Sequence, residues 1–181
     1  MSKTDKTIEL ERIIYTNTKK MGVFGCFEVT IGWFGKERVD YLTYDTNGVW
    51  RCYEVKVSLS DFHSKANNTF VGHFNYYVMP QELYTKVGNE IPSHIGVYTE
   101  SSYCVKRAKK QELAYSENVL KDSMIRSLSR EADIKYRGDN PDIVNNLESK
   151  IRRLEKEKEK IRSKYYDLKV TCLSYKHELS G

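Results

Sequence analysis

The sequence predicts an α/β protein in which a mixed sheet is flanked by helices and is followed by a helical C-terminal segment. Up to about residue 108, short runs rich in β-branched and aromatic residues alternate with helix-like segments. From residue 111 onward the chain is polar, and its apolar residues recur first at helical and then at heptad spacing. We therefore expect a compact domain over residues 1–110, a helical connector over 111–138 and a coiled coil over 139–181.

The first elements are predicted from local start and stop signals. A helix is expected over residues 4–20, with Thr4 or Asp5 as N-cap and Gly22 as a stop. Three strands are expected next, over residues 26–31, 38–44 and 49–57.

The dipeptide Asn47-Gly48 is a strong hairpin signal between the second and third strands. These strands should therefore pair antiparallel. A turn centred on this dipeptide places Asp40 opposite residue 55 and its neighbours, which brings Asp40 close to Glu54.

The remaining elements of the first domain complete a sandwich. We expect a short helix over residues 61–65, a strand over 74–79, a helix over 80–87, and strands over 94–98 and 103–107. This order of helices and strands is typical of an α/β or α+β sandwich and not of a helical bundle.

The C-terminal part carries a heptad pattern. After a polar helix over residues 111–136, Asn140 is expected to cap a second helix that begins at Pro141. One heptad series comprises Leu147, Leu154, Ile161, Leu168 and Tyr175, and the companion series comprises Val144, Ile151, Lys158, Tyr165, Cys172 and Leu179. The pattern predicts a coiled coil that joins two copies of the chain through residues 141–179, giving a homodimer. The alternative is a hairpin with the helix over residues 111–136 of the same chain.

Composition limits the partners and the location. No run approaches the roughly 20 apolar residues needed to span a bilayer, and no apolar signal region follows the first six residues. We therefore expect no membrane partner and a cytoplasmic location. The four cysteines form no CxxC pair, which argues against a zinc cluster. The net charge of +5 and the 14 tyrosines suit a nucleic acid, but they equally suit a small sheet with one wet face.

The triplet Glu54-Val55-Lys56 is the most informative segment of the chain. Four acidic-x-Lys triplets occur, but only this one lies in a strand-like run and follows a second strand that carries an aspartate, Asp40. Side chains two apart on a strand project together, so a carboxylate and an ammonium would emerge at one place. A divalent metal held by Asp40 and Glu54 would compensate the cost of burying these charges. The alternative is a cross-strand salt bridge on a half-exposed sheet face.

These residue types suit the hydrolysis of a phosphodiester. The reaction needs a metal to neutralise charge on the phosphoryl oxygens and to lower the pKa of an attacking water. It also needs a cation to orient that water. Asp40 and Glu54 suit the first task and Lys56 suits the second.

Further metal ligands are expected around this pair. Mg²⁺ takes few carboxylates and keeps several waters, so the backbone carbonyl of Val55 would complete an adequate set without histidine. A third acidic group from the first helix, Glu11 or less favourably Glu9, is a candidate to hold a water or a second ion.

The motif resembles the PD-(D/E)xK nuclease superfamily. The resemblance rests on Asp40, on Glu54-Val55-Lys56 and on Ser58-Leu59-Ser60-Asp61-Phe62. It is nearest to the MmcB-like branch and to small phage-type proteins that share a Glu-x-Lys-x-Ser-x-x-Asp-Phe stretch. The run from His73 to Pro80 is also similar to the Tyr-rich strand of the family. The resemblance covers about residues 8–108 and does not include the heptad segment.

The resemblance implies a restriction-endonuclease-like fold. Such a fold has a mixed central sheet flanked by helices, with the acidic residues and the lysine at its middle and with Mg²⁺ or Mn²⁺ as cofactor. Asp40, Glu54 and Lys56 map directly onto the motif, and Glu11 maps less directly. Val39 stands where the family usually has proline.

Three further positions have two interpretations each. Lys65 and His73 are candidates to contact nucleic-acid phosphates, although isolated basic loop residues are commonly solvated. Asp61 belongs to the family-like stretch, but it also suits the role of a helix cap.

The expected function is that of a Mg²⁺-dependent DNA endonuclease whose homodimer sets two active sites apart. One alternative is a DNA-repair or recombination accessory that binds DNA without hydrolysing it. The other is a phage-type interaction protein, for example an inhibitor that acts through the coiled coil.

Overall fold

The protein consists of two compact units, Met1–Arg130 and Glu131–Gly181. The computed structural model describes residues 3–35, 37–64, 68–101 and 103–178, with the side chains of these ranges except those of residues 167 and 170–178.

The described ranges contain helices and strands in an α/β order. The helices are α1 Asp5–Thr18, α2 Leu59–Phe62, α3 Gln81–Val87, α4 Glu117–Asp139 and α5 Pro141–Glu178. The strands are β1 Val23–Thr30, β2 Arg38–Asp45, β3 Trp50–Val55, β4 Phe74–Val78, β5 Gly96–Tyr98 and β6 Cys104–Lys106. The predicted α/β class, with a mixed sheet flanked by helices and a helical C-terminal segment, is confirmed.

The six strands form one sheet in chain order, from β1 at one edge to β6 at the other. Strands β1, β2 and β3 form an antiparallel meander. Strands β4 and β5 run parallel to β3, and β6 runs antiparallel to β5. The two parallel pairings require crossover connections, which contain α2 and α3.

The β2–β3 hairpin forms where Asn47-Gly48 predicts it, but its register differs by one residue from the prediction. Tyr41 lies opposite Tyr53, which places Asp40 opposite Glu54 and not opposite residue 55. The reason is the turn: Asp45 N–H donates to Val49 O at 3.0 Å, so the loop has three residues. Gly48 supplies its left-handed position with a φ of 78°.

Helices cover both faces of the sheet. On one face, Leu10 and Ile14 of α1 pack in a cluster with Tyr41, Tyr53 and Val78, called here the α1 cluster. On the other face, Leu120 and Met124 of α4 pack in a second cluster, called the α4 cluster. Its strand residues include Cys26, Val29, Val39, Leu42 and Cys52.

The strict alternation of side chains is broken in the β1–β2 ladder. Phe27 and Tyr41 pair and contact the α1 cluster, whereas Val29 and Val39, which pair two residues further along the ladder, belong to the α4 cluster. Between these pairs lies Glu28, whose φ of 51° is in the left-handed region. The alternation of side chains between the two sheet faces is therefore shifted in both strands, at Glu28 in β1 and at the facing residue Asp40 in β2.

The second unit contains the end of α4 and the whole of α5. Asn140 caps α5, since its Oδ1 accepts from the N–H groups of Asp142 at 3.0 Å and Ile143 at 3.3 Å. Of the apolar heptad residues with described side chains, Val144 is partly buried and six are more than half exposed: Leu147, Ile151, Leu154, Ile161, Tyr165 and Leu168. The side chains of Cys172 and Tyr175, and all of Leu179, lie outside the described residues. The coiled coil therefore stays a prediction.

Of the helices in the described ranges, none combines the length and the apolar character that crossing a membrane requires.

Candidate active site

Asp40 is tied to the strand that carries Glu54. Its Oδ2 accepts a hydrogen bond from the backbone N–H of Val55 at 2.9 Å. Burial raises the pKa of Asp40, against the opposing effects of this hydrogen bond and of the nearby positive charge of Lys56. The bond fixes one carboxylate oxygen beside β3 and leaves Oδ1 available to another partner.

Glu54 is the most deeply buried carboxylate of the site, with 4% of its surface exposed. Its Oε1 is buried and accepts no hydrogen bond from the residues that the structure describes. Burial, followed by the charge of Asp40, raises the pKa of Glu54 to about 8, although Lys56 acts in the opposite direction. A buried acceptor without a donor costs free energy, so this oxygen is suited to bind a proton or a cation.

Lys56 places a positive charge beside the two carboxylates. Its side chain is 6% exposed, and its Nζ lies 3.9 Å from Oδ1 of Asp61. Its backbone N–H donates to Val78 O at 2.9 Å, which continues the pairing of β3 with β4. Lysine is rarely buried without a close partner, so this long ion pair leaves the ammonium able to contact a further anionic or polar group.

Asp61 lies within α2, where it takes part in the capping hydrogen bonds and also faces Lys56. Ser58 caps α2 by accepting from the N–H of Asp61 at 3.2 Å, and Oδ2 of Asp61 accepts from the N–H of Val57 at 3.0 Å. The other oxygen, Oδ1, faces the ammonium of Lys56. The cap therefore positions the carboxylate that contacts Lys56.

Glu11 is engaged elsewhere in this structure. The ammonium of Lys3 lies 2.7 Å from Oε1 of Glu11 and 2.8 Å from Oε1 of Glu28. Strand alternation explains the separation from Glu54: Tyr53 and Val55 contact the α1 cluster, so Glu54 lies on the sheet face away from α1. The role of Glu11 as a metal ligand stays a prediction.

The described residues do not include a group of three or more His, Cys, Asp or Glu side chains that is arranged to hold a metal ion. Asp40 and Glu54 are neighbours across the hairpin, whereas Glu9 is exposed on α1. Of the predicted ligands, Asp40 and Glu54 are therefore the ones that lie side by side, with the Val55 backbone next to them.

Two charged residues near Asp40, Glu28 and Lys3, were not predicted from the sequence to belong to the site. Glu28 faces Asp40 across the β1–β2 ladder and pairs with Lys3 and, at 3.4 Å, with Arg38. The charge of Lys3 also acts to lower the pKa of Asp40. Glu28 could have been recognised from the sequence, because an acidic residue is unusual within an otherwise apolar strand. Nothing in the sequence indicates its ion pair with Lys3.

Of the two predicted phosphate-binding residues, the structure describes only His73, which lies away from the carboxylates. Lys65 lies outside the described residues. His73 uses its Nδ1 to accept from the N–H of Trp50 at 3.1 Å, at the beginning of β3, whereas Glu54 is near the end of that strand. The His73 ring therefore stabilises the backbone at the far end of β3.

No family model matches the chain, and no curated protein matches it. Among solved structures, the chain is similar to SPO1766, a protein of unknown function from Silicibacter pomeroyi. The TM-score is 0.59 at 16% sequence identity, and the match covers 78% of this chain and 96% of that chain. At this identity the similarity concerns the fold alone.

Proposed function

We propose that this protein is a metal-dependent nuclease that hydrolyses DNA phosphodiester bonds at Asp40, Glu54 and Lys56. The observation that carries the proposal is the buried Oε1 of Glu54, which has no hydrogen-bond partner among the described residues and lies beside Asp40 and close to a buried lysine. A pair of buried carboxylates with an open acceptor oxygen is an arrangement that a divalent cation stabilises.

The donor chemistry of the site fits Mg²⁺ or Mn²⁺. These hard cations take oxygen ligands, and Mg²⁺ retains several waters, so few protein ligands suffice. Glu54 and Asp40 would hold the ion, with the Val55 carbonyl and Glu11 as further candidates. When bound, such an ion neutralises charge on phosphoryl oxygens and lowers the pKa of a water molecule.

Lys56 has the position of the group that orients the attacking water. Its ammonium carries a positive charge at a nearly buried location, where electrostatic interactions are stronger than in bulk solvent. Asp61 restrains it from one side through the 3.9 Å contact. Lys56 is therefore suited to hold a water and to stabilise negative charge that develops on the phosphate.

The fold supports this proposal. The site residues lie on β2 and at the end of β3, two interior strands of a mixed sheet that has helices on both faces. That arrangement agrees with the restriction-endonuclease-like fold implied by the resemblance to the PD-(D/E)xK superfamily and its MmcB-like branch. The similarity to SPO1766, a protein of unknown function, carries no support for the activity.

The proposal includes a dimer formed through α5. The exposed leucine and isoleucine residues of this helix recur at heptad spacing, and coiled-coil pairing with a second copy would bury them. Two active sites in one dimer would allow both strands of a DNA duplex to be cut.

A plasmid assay tests the activity. We expect the purified full chain to nick or linearise supercoiled DNA with Mg²⁺ or Mn²⁺ and to be inactive with EDTA. Glu54→Gln and Lys56→Met should abolish cutting, whereas Lys121→Met, which alters an exposed lysine paired with Glu117, should not. An inactive wild-type protein, or equal activity in all variants, would contradict the proposal.

A second candidate function is DNA binding without hydrolysis. It is favoured by the absence, among the described side chains, of a third acidic ligand next to Asp40 and Glu54. In that case the wild-type protein should retard DNA in a gel but leave it uncut with every metal. The same plasmid preparation distinguishes the two functions.

A further inference from the structure

A cavity of about 350 Å³ opens beside β3, β4 and β5, on the sheet face of the α1 cluster and not on the face of Glu54. Its lining includes the aromatic rings of Phe74, Tyr76 and Tyr98 and the guanidinium groups of Arg51 and Arg107. We call it the aromatic pocket. Arg51 pairs with Phe74 at the first position of the parallel β3–β4 ladder, and Val55 pairs with Val78 at the last. Tyr98 of the lining pairs with Val78, so the pocket extends along the ladder on one face of the sheet. Tyr53 and Val55 contact the α1 cluster on that face, so Glu54 projects from the opposite face and the sheet separates it from the pocket.

The aromatic wall of the pocket is rigid. The ring centres of Tyr76 and Tyr98 lie 5.2 Å apart at an interplanar angle of 63°. Behind them Tyr53, which is 1% exposed, stacks on Tyr76 at 5.3 Å. Rings that are fixed by such packing offer a flat surface whose ordering costs nothing further when a planar ligand binds.

The pocket carries positive charge and no lining carboxylate among the described residues. Arg51 is partly neutralised, since its Nη1 lies 2.7 Å from Oδ2 of Asp45, and its guanidinium is 5.7 Å from the centre of the Phe74 ring. Arg107 is exposed, and within the described ranges it forms no ion pair. It lines the pocket together with Tyr76 and Cys104, and its charge acts to lower the pKa of both.

Flat aromatic walls and an uncompensated guanidinium together select a planar ring that bears an anion. Bases stack on aromatic side chains with little sequence preference, and arginine binds phosphate oxygens with two parallel hydrogen bonds. The volume is at the small end of the range for ligand pockets, so it suits one nucleotide and not a length of strand.

We infer that the aromatic pocket binds one unpaired nucleotide, with its base against the rings of Phe74 and Tyr98 and its phosphate at Arg107. This inference goes beyond the proposed function because the pocket is separate from Asp40 and Glu54 and needs no metal. The nucleotide is either free in solution or part of a single strand, since both present the same base and phosphate.

Calorimetry of the full chain in EDTA tests the inference independently of cleavage. The probes are dAMP, deoxyadenosine, inorganic phosphate and a 5′-phosphorylated oligothymidylate of eight nucleotides. We expect dAMP to bind, and deoxyadenosine and phosphate each to bind at least about tenfold more weakly, because each retains only one of the two contacts. Competition by the oligonucleotide would identify a single strand as the source. Binding of dAMP without such competition would identify the free nucleotide.

Matched variants separate the pocket from general charge attraction. Arg107→Glu should weaken dAMP binding at least about tenfold, whereas Lys109→Glu, the same charge change at an exposed residue that does not line the pocket, should change it less than about twofold. Tyr98→Phe should keep the affinity and Tyr98→Leu should lose it. Equal losses in Arg107→Glu and Lys109→Glu, or phosphate that binds as tightly as dAMP, would overturn the inference. So would unchanged binding in Tyr98→Leu.

Discussion

The Asp40 carboxylate accepts a hydrogen bond from the backbone N–H of Val55 at 2.9 Å, one residue after Glu54. The bond holds the two carboxylates together across the β2–β3 hairpin. It requires an acceptor oxygen at residue 40 but does not require a charge there. The structural and the chemical contributions of Asp40 are therefore separable by substitution.

We expect Asp40→Asn to abolish metal-dependent cutting and to leave the free energy of unfolding unchanged or slightly higher. The amide oxygen can still accept from Val55, and removal of one negative charge relieves its repulsion with Glu54. Urea denaturation at neutral pH and the plasmid assay check the two parts. Retained cutting would show that Asp40 does not serve the reaction.

Asp45→Asn on the same strand is the matched control for stability. Asp45 accepts from the N–H groups of Asn47 and Val49 and pairs with Arg51 at 2.7 Å. Burial acts to raise the pKa of Asp45, but these three partners together bring it below its ordinary value. Its contribution to stability is therefore present above an ordinary aspartate pKa and is lost as the pH falls through the lowered one.

We expect Asp45→Asn to cost about 1–3 kcal/mol near neutral pH because it removes an ionised hydrogen-bond acceptor. The difference between Asp45→Asn and Asp40→Asn in the free energy of unfolding should become smaller at acidic pH. Equal costs for the two substitutions would show that the charge of Asp40 is structural, as in a cross-strand salt bridge.

Glu54 should make the metal-free protein less stable as the pH rises. Its pKa is raised from the ordinary 4.5 to about 8, so between these values the folded state binds more protons than the unfolded state. Stability therefore falls across this window and levels off above pH 8. Glu54→Gln should remove a penalty on the order of a few kcal/mol at pH 9 and change little at pH 4. Parallel stability curves for the two proteins from pH 4 to pH 9 would contradict this.

We expect Lys56→Met to reduce the cleavage rate on the order of 100-fold or more while DNA binding and folding are retained. Methionine fills a similar volume without charge, so the packing at the end of β3 should persist. Single-turnover kinetics and gel retardation measure the two properties. Lys121→Met is the matched control, because that lysine is exposed. A loss of DNA binding that equals the loss of rate would assign Lys56 to substrate binding alone.

Leu154→Lys should convert the dimer to a monomer. Leu154 is one of the heptad residues of α5, and it is 51% exposed in the single chain. A charge at this position disrupts the apolar seam that pairing requires. Sedimentation velocity should show a dimer for the wild type and for Lys156→Ala, which lies on the outer side of the heptad. A monomeric wild type would contradict the dimer.

Elements that depend on local chemistry were predictable from the sequence. Thr4 caps α1, and Asn140 caps α5, which begins at Pro141. Each of these caps needs only a side chain and the backbone a few residues away. The Asn47-Gly48 hairpin is local in the same sense, and it brought Asp40 to β3 as expected.

Features that depend on unusual backbone or on distant residues were not predictable. The register is one residue from the expected one because the turn has three residues, with Gly48 in the left-handed region. Glu28 adopts a φ that few residues with side chains adopt, so the sequence pattern did not predict that side chains change sheet face at this residue. The pairing of Lys3 with Glu11 and Glu28 joins the chain terminus to α1 and β1 and follows only from the tertiary structure.

Titration calorimetry of the full chain with Mg²⁺ and Mn²⁺, at pH 7 and in two buffers of different ionisation enthalpy, tests the metal site most directly. We predict that either ion binds with release of nearly one proton, because a cation displaces the proton that Glu54 holds below a pKa of about 8. Asp40→Asn and Glu54→Gln should each weaken binding at least about tenfold, and Glu54→Gln should remove the proton release. Absence of metal uptake by the wild-type protein, or uptake that neither substitution alters, would contradict the assignment of these carboxylates as metal ligands.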